Sequence, residues 1–145
     1  MTFQTAMLAG EAFKLIRDNV PSWKSQAQNA LATFQAGNVN TDYVYAVVDG
    51  LRQIRDALNT WKAVAGLDTY ATGQGYPASL ASDCTAIATA ATNAITWVFQ
   101  NFPVSGGFVT DNTLNADGSR TPRSFTSVQT AGLQTLLTTL VATIN

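Results

Sequence analysis

Histidine is absent from this chain of 145 residues, and glutamate occurs once, at Glu11. Ser-His-Asp and Cys-His arrangements and His-containing metal sites are therefore impossible within one chain. A di-iron site of the kind built from several Glu plus Glu-x-x-His on bundle helices fails for the same reason. Neither G-x-x-x-x-G-K-[ST] nor G-x-G-x-x-G is present, so no phosphate cradle is written into the sequence. The single cysteine, Cys84, cannot close an internal disulfide, which fits folding in a reducing cytoplasm. Charge is scarce as well: 12% of residues are charged, against ~25% in an ordinary soluble protein. The surface must then be largely Thr, Asn, Gln, Ser and Ala. A formal charge of -1 and a pI near 5.0 give no general attraction to phosphates, so no nucleic-acid partner is expected. No run of ~18 apolar residues occurs and the opening MTFQTAMLAGEAFKLIRD has no basic leader before an apolar core, so neither membrane insertion nor secretion is expected. The expectation is a protein with no catalytic residues, no metal, no cofactor and no small-molecule substrate.

What the sequence does contain is apolar periodicity, with 46% hydrophobic residues, in a length usual for one domain spanning 1–145. Ala6, Ala9, Phe13, Ile16, Val20, Trp23, Ala27, Ala30 and Phe34 recur at alternating three- and four-residue steps, the spacing of one helix seam. That register crosses Pro21, which removes one backbone hydrogen bond and crowds the carbonyl of Arg17. The spacing therefore predicts a single kinked helix over residues 2–36, closed by Gly37. Asn40 supplies an N-cap and Asp42 a negative charge in the first turn of a second helix. Its seam is Val44, Val47, Leu51, Ile54, Leu58, Trp61 and Ala65, and Gly66 ends it. The short GNVN connection predicts that it packs antiparallel on the first helix. Asp49, Arg52, Arg55, Asp56 and Lys62 fall off the seam and read as a solvated face, with Asp49–Arg52 and Arg52–Asp56 as weak neighbouring pairs.

Residues 67–77, LDTYATGQGYP, have two glycines, a proline and no periodicity, so they read as a loop with at most one helical turn, from which Tyr70 and Tyr76 tuck back on the bundle. A third helix over 78–102 places Leu80, Cys84, Ile87, Ala91, Ala94 and Val98 on its seam. Its C-terminal end is overloaded: Ile95, Trp97, Val98, Phe99 and Phe102 point around most of the circumference and need cover on more than one side. No charged residue occurs from Cys84 to Thr110. Pro103 and Gly106-Gly107 end this helix, and a non-helical arm or short β-hairpin over 103–125 follows. Asn115-Ala116-Asp117-Gly118 suits a tight turn, and Pro122 disfavours a regular central strand. Thr126 and Gln129 form a T-x-x-Q capping box, after which Leu133, Leu136, Leu137, Leu140, Val141 and Ile144 mark a fourth amphipathic helix. The expected fold is all-α, an antiparallel four-helix bundle with a kinked first helix and an arm between helices three and four.

The residues that stand out each have a plain alternative. Cys84, on a seam and without a neighbouring positive charge, reads as a buried inert side chain rather than a reactive thiol. Trp23 and Trp61 read as core. Trp97, one step off its seam, either packs beneath its own arm or touches another subunit. Arg120 and Arg123, the only basic residues after Lys62, either keep the arm soluble, paired with Asp111 and Asp117, or dock it. The spacing of Thr113, Asn115, Asp117 and Gly118 has something of a calcium loop, yet Thr113 stands where the first Asp belongs and Ser124 where the closing Glu belongs.

The tract WVFQNFP from Trp97 to Pro103, followed by GFVTDNTLNADGSRTPRSFTSVQTAGLQTLLTTLVATI from Gly107 to Ile144, resembles the C-terminal half of small structural proteins of tailed bacteriophages and prophages. In such proteins a kinked N-terminal helix, a second helix ending near a Gly, an Ala-rich third helix and a closing L-N-A-D-G…F-T…Q-T-A-G-L segment follow in this order. The resemblance implies a non-enzymatic virion subunit made in the host cytoplasm, an accessory protein of the tail, baseplate or head-to-tail region. It implies partners among other virion proteins and copies of itself. The residues lead to the same expectation separately, because a weakly charged surface, an overloaded helix end and a projecting arm favour lasting burial against partners. The candidate partner surface is Trp97, Phe99, Phe102, Phe108, Leu114, Arg120, Arg123 and Phe125. The competing expectations are a capsid decoration protein, a soluble cytoplasmic adaptor or regulator binding one protein, and an enzyme or ligand carrier using Asp and Tyr in a pocket between helices.

Overall fold

Seams stepping by three and four residues fold here as helices close to where the sequence places them. The computed structural model describes residues 3–36, 41–101, 104–105, 108–109, 112–114, 116, 120–122 and 130–144. Its class is all-α, with α1 over Phe3–Ala36, α2 over Thr41–Lys62, α3 over Leu67–Gly73, α4 over Leu80–Asn101 and α5 over Thr130–Ile144. Between α4 and α5 lie two small antiparallel strand pairs. Strand β1 (Val104–Ser105) pairs with β2 (Phe108–Val109), and β3 (Asn112–Leu114) with β4 (Arg120–Pro122), Leu114 facing Arg120 in register. Each pair has only edges, which is where Pro122 can sit without breaking a ladder.

Helix α1 continues through Pro21. Ala9, Phe13, Ile16, Val20, Trp23, Ala27 and Ala30 are all buried, so one register holds on both sides of the proline, which itself faces solvent. Water can satisfy a carbonyl freed on that outer face, which lowers the cost of the missing bond. The expectations for Gly37, Asn40, Thr126 and Gln129, and for the burial of Ala6, Phe34, Leu133 and Ile144, fall outside what is described.

The helix partners differ from the expectation. Helix α2 packs chiefly on α4 and α1 chiefly on α5, while α1 and α2 share a smaller contact. That smaller contact still runs antiparallel: Tyr43 donates to the Asn29 carbonyl, and further along the Trp23 and Trp61 rings stack with centroids 5.9 Å apart. The larger α2 to α4 contact also runs in opposite directions, with Lys62 donating to Thr85 at 3.0 Å and Arg52 lying over Phe99. Helix area decides this. Helix α4 brings Leu80, Ile87, Ile95 and Val98 to the core, whereas much of the facing stripe of α1 beyond Trp23 is alanine, and larger side chains remove more area from water.

Five local expectations need correction. Helix α2 stops at Lys62, leaving Ala65 exposed, and Val48 rather than Val47 takes the fully buried position. Asp56 sits beside Arg55 at 2.9 Å rather than beside Arg52, which leans toward Asp49 at 3.9 Å. Leu136 of α5 is 36% exposed, while Leu137 and Leu140 are buried. The stretch read as a loop holds a true helix, α3, because it has two residues to bury, Leu67 and Ala71, and a glycine at each end able to take positive φ: Gly66 at 81° and Gly75 at 90°. Tyr70 and Tyr76 do turn inward. Tyr70 packs on Phe13 with centroids 5.6 Å apart, over Gly10, where a Cβ would stand 3.2 Å from the ring.

Candidate functional site

The two ends of α4 are built by opposite means. At its first turn Ser79 precedes the helix and its hydroxyl accepts from the Ser82 N–H, the ordinary way to satisfy an orphan donor. Asp68 adds a second cap from α3, accepting from the Ala81 N–H and the Ser79 hydroxyl, each at 2.9 Å. A carboxylate there is also favoured by the helix dipole. The buried Tyr76 donates its hydroxyl proton to Asp83, and burial together with the neighbouring carboxylates pushes the phenol well above its usual range. Cys84 is completely buried. Burial, then Asp83 and Asp68, push its thiol up to about 12, with Lys62 opposing, so it is protonated and unreactive at neutral pH.

Beside this end, between α4 and α5, a cleft of about 240 Å³ is walled by Pro77, Ile87, Leu136 and Leu140, with Asp83 its one charged lining residue. A second cleft of about 300 Å³ lies between α1 and α2 over Ala27, Ala30, Gly50 and Ile54, rimmed by Gln26, Asn29 and Tyr43. Among the described residues no group of three His, Cys, Asp or Glu could hold a metal ion, and no helix is long and apolar enough to cross a membrane.

At the other end of α4, Ile95 and Val98 are buried, Trp97 is half-buried against the core, and Phe99 is 40% exposed. Arg52 reaches from α2 to within 6.0 Å of the Phe99 ring centroid, an attractive geometry of modest worth at an exposed site. Tyr45, seven residues before Arg52 and so on the same face of α2, is 49% exposed. Exposed aromatic side chains and an arginine are residue types enriched in protein contacts. Asn93, Thr96 and Gln100 line a shallow hollow beside Trp97.

The threonines around these ends change what their polarity means. Thr85, Thr92, Thr96, Thr135, Thr138, Thr139 and Thr143 each donate to the carbonyl four residues back, at 2.8 to 3.1 Å. A hydroxyl spent on its own helix turns its methyl outward and needs no new partner when covered. These faces therefore dissolve as polar surface yet desolvate at low cost.

No family model, no curated protein and no solved structure matches this chain. Of the eight residues read as a partner surface, Trp97 and Phe99 both lie near the end of α4, two positions apart and so on different faces, and Phe108, Leu114 and Arg120 lie in the strand pairs that follow. Phe102, Arg123 and Phe125 fall outside the described residues. The sequence pattern put Arg52 on a solvated face and gave no reading of Tyr45, although their seven-residue spacing puts them on one stripe of α2. It also missed the link between Tyr76 and Asp83, for which the only signal was an acidic residue in a helix first turn.

Proposed function

We propose that the protein is a non-enzymatic structural subunit of a tailed-bacteriophage virion, an accessory component of the tail, baseplate or head-to-tail region, working through contacts with other virion proteins and with copies of itself. In this reading the long helices α1, α2, α4 and α5 are the four-helix bundle that fills space between neighbours, α1 bends at Pro21, and residues 103–125 serve as an arm that meets an adjacent subunit. The observation that carries the reading is the end of α4. Phe99 stays exposed beside Arg52, on a segment without charge from Cys84 to Thr110. Exposed aromatics on a surface whose threonines are already satisfied favour permanent cover by protein. Mass spectrometry of purified particles should find the protein at a fixed stoichiometry, and the isolated chain should associate as concentration rises. A monodisperse monomer missing from particles would sink the proposal.

A further inference from the structure

We infer that the outward face of the first half of α1 is the contact between two copies of this chain, each α1 lying antiparallel against the other. The inference rests on the assembly reading above and names one of its partners. Its ground is where exposed apolar bulk collects. Met7 is 53% exposed, Leu8 50% and Leu15 43%, three of the six large hydrophobic side chains left most exposed, and they fall within nine residues of one helix. The inward face of the same turns, Ala9, Ala12, Phe13 and Ile16, is buried. At 3.6 residues per turn Leu8 and Leu15 form one edge of the outward face, Met7 and Lys14 the other, and Glu11 runs between them.

Charge says what covers this face. Four charged residues lie on this half of the helix, and two of them, Arg17 and Asp18, stand together at 3.4 Å. Glu11 and Lys14 are exposed, and among the described residues neither forms an ion pair. Read along α1 the order is negative then positive, so the same face reversed presents positive then negative. Two copies laid antiparallel about an axis between residues 11 and 12 therefore bring each Glu11 within reach of Lys14 of the other copy. The same axis sets Leu8 level with Leu15 of the other copy. A parallel pair would instead set like charge on like. Such a contact is isologous and closes at two copies. It covers only about two turns of each helix, a small area for a stable interface, so the dimer is weak. It is also separate from the end of α4. Gly10 lies under Tyr70 of α3, and α3 caps α4 at Ala81, eighteen residues before Phe99, or about 27 Å at ~1.5 Å per residue. One copy can use both surfaces.

Sedimentation velocity on the full chain tests this. The wild type should dimerise as concentration rises, and Leu8→Glu and Leu15→Glu should each dimerise at least about tenfold more weakly, with circular dichroism and melting as in the wild type. Glu11→Lys and Lys14→Glu should each weaken the dimer alone, because each makes the face carry one sign. Mixed in equal amounts, these two should form a 1:1 dimer, since a positive face then meets a negative one. Phe99→Ala should leave this dimer in place. A mixture that stays monomeric would overturn the inference, and so would leucine variants that dimerise like the wild type; both results leave assembly through the α4 end standing. If Leu8→Glu or Leu15→Glu lowers the melting temperature of the dilute monomer, the chain's own residues cover the face and the inference fails. A wild type that stays monomeric at every concentration overturns it as well, while presence of the protein in particles is read independently.

Discussion

Compare the first and last turns of α4. The first turn is held from outside its own helix, by Asp68 from α3 and by the buried ring of Tyr76, and every strong group there has a partner within the molecule except one side of Asp83. The last turns have Ile95 and Val98 buried, Trp97 half covered and Phe99 out in solvent under a single arginine. One helix therefore has an end whose side chains serve stability and an end with apolar surface left over. The lesson is that burial is set by what packs across from a residue. Ile87 and Phe99 are both large and apolar on the same helix, and they have opposite fates.

The comparison breaks first, and most visibly, at Ile87. Truncating this residue, 1% exposed, with Ile87→Ala should cost about 2–5 kcal/mol of unfolding free energy in urea titration. A loss no larger than that of an exposed site would mean the anchored end is not packed as described. Alkali should act next, at the same end. Cys84 keeps its proton to about 12 when folded and gives it up near 9.0 when unfolded. Its folded value is raised, so stability is level below about pH 9 and is lost as pH climbs from 9 toward 12. Tyr76, also raised, acts in the same sense. Melting of wild type and Cys84→Ser across this window checks it: the wild type should lose more over the window. The smallest effect on stability should come from Phe99→Ala, within about 0.5 kcal/mol of wild type, while self-association measured by light scattering falls. If Phe99→Ala instead destabilises like Ile87→Ala, the exposed ring belongs to the molecule's own core and the contrast between the ends disappears.

Much of the helical layout was readable. On α1 the seven seam positions from Ala9 to Ala30 are buried as their spacing requires, and on α4 all six, Leu80 through Val98, are buried. The reason is that one helix face repeats at 3.6 residues whatever lies opposite. Two misplacements show where that argument ends. Val47 and Val48 each continue a three-or-four pattern, and the choice between them depends on the angle at which α2 meets α4. Helix α3 has seven residues, too few to show a period, and it exists because Leu67 and Ala71 find cover and Asp68 finds the α4 N-terminus. The candidate surface was half legible. Trp97 and Phe99 were visible as an excess on one helix. Arg52 and Tyr45 come from another helix 40 or more positions away in the chain, and no local pattern links them.

By itself, then, the amino-acid order determined the four long helices, most of the stripe each turns inward, and which chemistries a chain without histidine and with one glutamate must forgo. These follow from covalent geometry and from the inventory of functional groups. Tertiary structure alone decided that α2 would lie on α4, that Asp68 would cap a helix thirteen residues on, and that Asp83 and Phe99 would be left at opposite ends with capacity unused. Those outcomes depend on which surfaces meet, and the area removed from water between two helices belongs to neither of them.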